Sequence, residues 1–170
     1  MNSWCKNLEL LIRSRTSLIW IRTKEEERLE KILNFSCERL NIKRYVSWDC
    51  VNGIKGLINE EGKFSNNPIG VLNWLKEQTS KVSTILLLKD FHKFYDDPSI
   101  NRTIKELSSA LKETNHNLII SSHLFPSSED LDELMTIVNL PLPNQKELRN
   151  LIKNIAINTN SNLDEKDLNE

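Results

Sequence analysis

Ser83-Thr84-Ile85-Leu86-Leu87-Leu88 has no polar face, and this constrains the fold more than any other stretch of the chain. A strand that shows one side to water alternates apolar with polar residues. An unbroken apolar run belongs in the middle of a sheet that is covered on both faces. Residues 17–22, 45–50, 118–122 and 136–140 read as further strands, rich in β-branched and aromatic side chains. Between them, apolar residues recur at helical spacing: Leu29, Ile32, Leu33, Cys37 and Leu40, then Val71, Leu72 and Leu75, then Ile100, Ile104, Leu107 and Leu111. Strands alternating with amphipathic helices predict an α/β fold, a three-layer αβα sandwich around a mostly parallel central sheet.

The connections carry their own signals. Leu8, Leu11 and Ile12 suggest a short leading helix. Residues 52–67 turn polar and contain Gly53, Gly56 and Gly62, which reads as a loop. Pro68 suits the first turn of a helix, and Asp96-Asp97-Pro98 interrupts the chain before the next one. Ser127 with Asp130 fits a capping box for a short helix that ends near Leu134. Asn144 with Glu147 would cap a last helix bearing Leu148, Leu151, Ile152 and Ile155. The expected organisation is a core domain over residues 1–157, then a polar tail over 158–170 that is frayed and reads as the start of a lid or linker.

Composition narrows the class of function. A chain of 170 residues with 38% hydrophobic content can bury one good core. A net charge of -1 gives no general attraction to nucleic acid or to anionic membranes. No apolar run approaches the ~20 residues that span a bilayer. Leu8-Glu9-Leu10-Leu11-Ile12 is too short and too interrupted for a signal peptide. The expectation is a cytoplasmic protein, or its plastid-stroma equivalent, with no membrane and no nucleic-acid partner. Cys5, Cys37 and Cys50 share no metal-ligand spacing and read as reduced thiols, Cys37 on the apolar stripe of its helix.

Three patterns, in chain order, resemble parts of the AAA ATPase fold. Ile85-Leu86-Leu87-Leu88-Lys89-Asp90 is similar to the Walker B strand, Leu118-Ile119-Ile120-Ser121-Ser122-His123 to the sensor strand, and residues 137–144 with Leu148-Arg149 to the strand, proline and Arg-bearing helix that close the core. Ser14-Arg15, Glu25-Glu26-Glu27-Arg28, Trp48-Asp49-Cys50, Asn67-Pro68 and Leu88-Lys89-Asp90-Phe91-His92 narrow the likeness. They resemble the N-terminal half of the cyanobacterial and plastid AAA proteins known as hypothetical chloroplast open reading frame forty-six. The likeness runs from about Leu8 to Ile157, and it implies a P-loop NTPase-like core.

The P-loop itself is missing. A phosphate-binding loop needs glycines so that backbone N–H groups can converge on the ligand. After Arg22 the chain reads Thr23-Lys24-Glu25-Glu26-Glu27, with no glycine and three acids at a helix start. Thr23 and Glu26 fit a capping box that would satisfy the free N–H groups internally. By the resemblance, Lys89 stands where the metal-binding aspartate belongs, Asp90 where the catalytic glutamate belongs, and Ser122 at a sensor-like position. These three are the candidate cofactor-binding residues; no catalytic or metal-binding residue is assigned. Lys89 has two readings, an anion-binding charge at the carboxyl edge of the sheet or a lysine paired with Asp90 or a neighbouring acid.

His92 and His123 would lie close if their strands are adjacent, and with Asp90 they could form a metal site, but a common ligand spacing such as His-Glu-x-x-His is missing and no metal is expected. His116 sits in a polar turn and is expected to be exposed. The expected function is a non-catalytic, regulatory or protein-docking module without a cofactor, whose partner is an active AAA domain in cis or in trans. The alternative is a nucleotide-binding AAA ATPase domain that holds ATP and Mg²⁺ in an atypical site.

Overall fold

The structure, a computed structural model, describes residues 3–78, 82–126, 131–149 and 152–153. It divides into two compact units, Met1–Leu140 and Pro141–Glu170. The first unit contains α1 (Ser3–Arg13), β1 (Leu18–Arg22), α2 (Glu26–Leu40), β2 (Arg44–Asp49), β3 (Gly53–Lys55), α3 (Pro68–Glu77), β4 (Thr84–Lys89), α4 (Pro98–Leu111), β5 (His116–Ser122) and β6 (Thr136–Asn139).

The strands form one sheet in the order β3-β2-β4-β5-β1-β6. All pairings are parallel except that of β2 with the edge strand β3. The expected mostly parallel sheet is therefore present, and the all-apolar run lies inside it as β4, between β2 and β5. Because side chains alternate along a strand, each strand feeds two cores. Trp20, Val46, Trp48, Leu86, Leu88, Leu118 and Ile120 pack with residues of α3 and α4 on one face. Ile19, Ile21, Ile85, Leu87 and Ile119 pack with Leu8 and Ile12 of α1 and Leu29, Leu33 and Cys37 of α2 on the other. Burial pushes the Cys37 thiol up to about 11, so it stays protonated and acts as a small hydrophobe.

The helix boundaries follow the local chemistry. Asn67 Oδ1 accepts from the Gly70 N–H at 2.8 Å, ahead of Pro68 in the first turn of α3. The Asp97 carboxylate accepts from Ser99 N at 2.7 Å and Ile100 N at 3.4 Å at the start of α4. In the second unit the expected capping box of Asn144 and Glu147 is present in both directions, at 2.9 and 3.1 Å. The Ser127–Asp130 box, Leu151, Ile155 and the tail over 158–170 lie outside the described residues.

Two expectations fail. Part of the loop over 52–67 is a strand, β3, returning antiparallel to β2. The Asp49 carboxylate accepts from the N–H groups of Val51 and Asn52 at 3.0 and 2.7 Å and so turns the chain. Gly53 then takes φ +70°, and a Cβ there would meet the Lys63 carbonyl oxygen at 2.4 Å. Asn52-Gly53 is a hairpin signal that the loop reading passed over; with Ile54 the only large apolar residue in three, no alternation announced the strand.

His116 is also misread as exposed. It opens β5, is only 2% exposed, and its Nε2 lies 3.4 Å from the Gln78 carbonyl oxygen. Burial, helped by the Arg44 charge and opposed by the Gln78 hydrogen bond, lowers its pKa below the usual histidine value. The unfolded chain therefore binds the extra proton first. The stability contributed by this site is full above about pH 6.5 and is lost as pH falls from there toward the lowered folded value. The melting temperature should drop between pH 7.5 and pH 5, and His116→Gln should flatten that slope. His92, lowered chiefly by burial, adds a slope of the same sign, so the flattening is partial. An unchanged slope in His116→Gln would show that His116 is not a titrating group.

Candidate functional site at the carboxyl edge of the sheet

In an open parallel sheet the carboxyl ends of the strands face the ligand crevice. Here the central connection, from β1 to α2, is only Thr23, Lys24 and Glu25. Two of its three backbone donors are engaged within the protein. Thr23 N donates to the Ser122 carbonyl oxygen at 2.9 Å, and Glu25 N donates to Thr23 Oγ1 at 2.9 Å. The Thr23–Glu26 capping box does not form, because the N-cap of α2 is Glu25, two residues later than that box requires. The Glu25 side chain makes no cap either; it accepts from Arg28 Nη1 at 2.6 Å, a competing pair one turn along the helix. Glu26 and Glu27 remain in the first turn, where they oppose the positive end of the helix dipole by roughly 0.3–1 kcal/mol each.

Lys89 ends β4 on the side of the sheet that carries Ile85 and Leu87, under α2. There its ammonium forms a close ion pair with the Glu30 carboxylate, with Lys89 16% and Glu30 29% exposed. Of the two readings for Lys89, pairing with a neighbouring acid is the one seen, and the acid is Glu30 rather than Asp90. Glu26 lies in the same field. Burial first, and then the Asp90 charge, raise its pKa, against the opposing effect of Lys89. Glu30 is the residue that sequence reasoning missed, and Glu26, read there as a capping residue, belongs with it. Their i,i+4 spacing places both on one helix face, but only the strand-to-helix packing shows that Lys89 meets them.

Asp90 turns away from this pair. It adopts φ 50°, its N–H donates to the Ser121 carbonyl oxygen at 2.9 Å, and its carboxylate is 64% exposed. A 3-10 turn, Phe91–Phe94, follows, anchored by the buried Phe91 against Trp48. Ser122 is buried in register with Arg22 of β1, and its hydroxyl donates to the Leu124 carbonyl, so it serves its own turn. Because β4 and β5 are adjacent, His92 and His123 do come together, edge to face with ring centroids 5.1 Å apart. The three candidate residues are thus at one edge, but Lys89, Asp90 and Ser122 each face different partners.

Comparison with known proteins agrees with this architecture. Residues 4–140 match the family described as SpoVK-like AAA ATPase, N-terminal domain. The chain is 36% identical over 147 residues to the AAA domain-containing protein ycf46 of Gracilaria tenuistipitata var. liui, covering 86% of this chain and 30% of that protein. It spans about a third of the length of the ycf46 relatives it matches. Among solved structures, C. elegans PCH-2 superposes with a TM-score of 0.61 at 13% identity, over 92% of this chain and 46% of that one. The replication initiator DnaA bound to AMPPCP and single-stranded DNA superposes with 0.59 at 16% identity, over 96% and 52%. At such identities these structures speak for the fold alone. Sheet order, strand patterns and the match over residues 4–140 together make this chain a member of the SpoVK-like AAA ATPase N-terminal domain family.

Proposed function

We propose that this domain is a non-catalytic AAA-like core, a regulatory or docking module for an active AAA ATPase domain in cis or in trans. The observation that carries the reading is the β1–α2 connection. A loop of the G-x-x-x-x-G-K-[ST] type uses about eight residues and leaves its backbone N–H groups free to surround phosphate. Three residues without glycine, with the N–H groups of Thr23 and Glu25 already engaged, offer no such cradle. The Lys89–Glu30 pair supports the same reading, since an ammonium fills the place that the resemblance gives to a magnesium ligand. A triphosphate would also approach Glu26, Glu27 and Asp90.

Without a bound nucleotide, what remains of an AAA core is its shape, and cores of this shape pack side to side. The partner is therefore an AAA domain, and the reading sets the module in the cytoplasm or the plastid stroma, in keeping with its algal relatives. The DNA in the DnaA structure belongs to that protein; a net charge of -1 gives this chain no comparable pull on a polyanion. Docking is tested by sedimentation of the chain mixed with the ATPase domain of a ycf46 protein. A complex at tens of micromolar, with an altered ATPase rate, is the expected result. Independent sedimentation at that concentration would contradict docking. Saturable nucleotide binding that disappears in Lys89→Ala would instead favour an atypical nucleotide site.

A further inference from the structure

His92 and His123 are left unused by the reading above, and they share one spot with Asp90. One ligand atom from each lies within 4.8 Å of the other two. The His92 side chain is only 7% exposed, yet neither of its ring nitrogens has a hydrogen-bond partner among the described residues. Its Nδ1 is 3.8 Å from Asp90 Oδ1, too far for a hydrogen bond. Buried polar groups are nearly always satisfied, so a buried, unpartnered imidazole that faces a second imidazole and a carboxylate points to a ligand.

The main chain builds this convergence. β4 and β5 run parallel with Lys89 opposite Ser121, so their carboxyl ends stop side by side. The turn at Asp90 is held by its N–H bond to Ser121. Phe91 fixes the following 3-10 turn in the core and so places His92, and His123 directly follows β5. Of the two lysines nearest in sequence, Lys89 is taken up by Glu30 and Lys93 is exposed.

We propose that Asp90, His92 and His123 bind one divalent transition-metal ion of the zinc class, with solvent completing the coordination. Imidazole nitrogens with one carboxylate suit zinc, cobalt or nickel, whereas magnesium and calcium prefer all-oxygen shells. Bonds of about 2.0–2.1 Å in a tetrahedron set ligand atoms about 3.3 Å apart. The exposed Asp90 and His123 side chains close that gap by turning toward the fixed His92. Three protein ligands leave one position open, as in sites that hold a bound water. The site does not depend on whether the domain binds nucleotide.

The test uses the tag-free chain, titrated with Zn²⁺ against a chromogenic chelator and separately with Co²⁺ in the visible range. The expected result is one Zn²⁺ per chain at micromolar affinity or tighter, and Co²⁺ absorption bands without thiolate charge transfer. His123→Ala and Asp90→Asn, both at exposed side chains, should each weaken Zn²⁺ binding by at least about tenfold with unchanged circular dichroism. Cys50→Ser, at an exposed thiol outside the cluster, should leave it unchanged. No binding below millimolar Zn²⁺, or full affinity in His123→Ala, overturns the proposal. So does a thiolate band that vanishes in Cys50→Ser.

Discussion

Trp20→Ala is expected to remove about 3–5 kcal/mol of stability, a large part of the 5–15 kcal/mol typical of a whole domain. Trp20 is fully buried in β1. Its ring stands edge-on to Tyr95 at 5.3 Å and to Phe125 at 5.0 Å between centroids. The backbone of β1 is clamped between β5 and β6, with Trp20 in register with Ile120 and Ile137. The two ladders fix the strand that carries Trp20, so its backbone cannot move in to fill the cavity that the lost ring leaves. Urea unfolding measures it: the midpoint should fall sharply in Trp20→Ala and much less in Trp20→Phe. A loss under about 1 kcal/mol would place Trp20 outside the core.

The second large effect concerns Lys89. Lys89→Glu removes the partner of Glu30 and adds a carboxylate near Glu26 and Asp90, whose charges already act on one another. Breaking a buried pair costs about 3–5 kcal/mol. Partial exposure of both partners screens this pair, and about 2–3 kcal/mol is the expected loss. For a domain of this size that corresponds to a fall in melting temperature of roughly 5–10 °C. Lys89→Met should cost less, because it leaves Glu30 unpaired without adding repulsion. The exchange Lys89→Glu with Glu30→Lys should recover part of the loss, which a double-mutant cycle isolates. Melting unchanged in Lys89→Glu, or no recovery in the exchange, would mean that the ion pair does not organise this edge.

Much of the fold could be read from particular residues, and the misreadings share a cause. Leu86 and Leu87 point to opposite faces, and both being apolar is enough to bury β4 on both sides. Asn67-Pro68 and Asp97-Pro98 announced their helices because capping and proline chemistry act within three residues. The same holds for Asn144 and Glu147. What failed depended on contacts distant in sequence. His116 looked like a turn residue until Gln78, in another element, covered it. The partner of Lys89 is on α2, fifty-nine positions earlier, and no local spacing links them. Thr23 was misassigned because the Glu25–Arg28 pair shifts the helix start. At the site, the adjacency of β4 and β5 was the condition for His92 and His123 to meet, and that follows from sheet order rather than from any motif.

The absence of a phosphate cradle between β1 and α2 is the central claim, and calorimetric titration of the chain with ATP and Mg²⁺, repeated with ADP, tests it most directly. No saturable heat up to millimolar nucleotide is the expected result, since the N–H groups of Thr23 and Glu25 are engaged and acids surround the helix start. Saturable binding at micromolar affinity would contradict it, and would show that Thr23, Lys24 and Glu25 rearrange to receive a nucleotide.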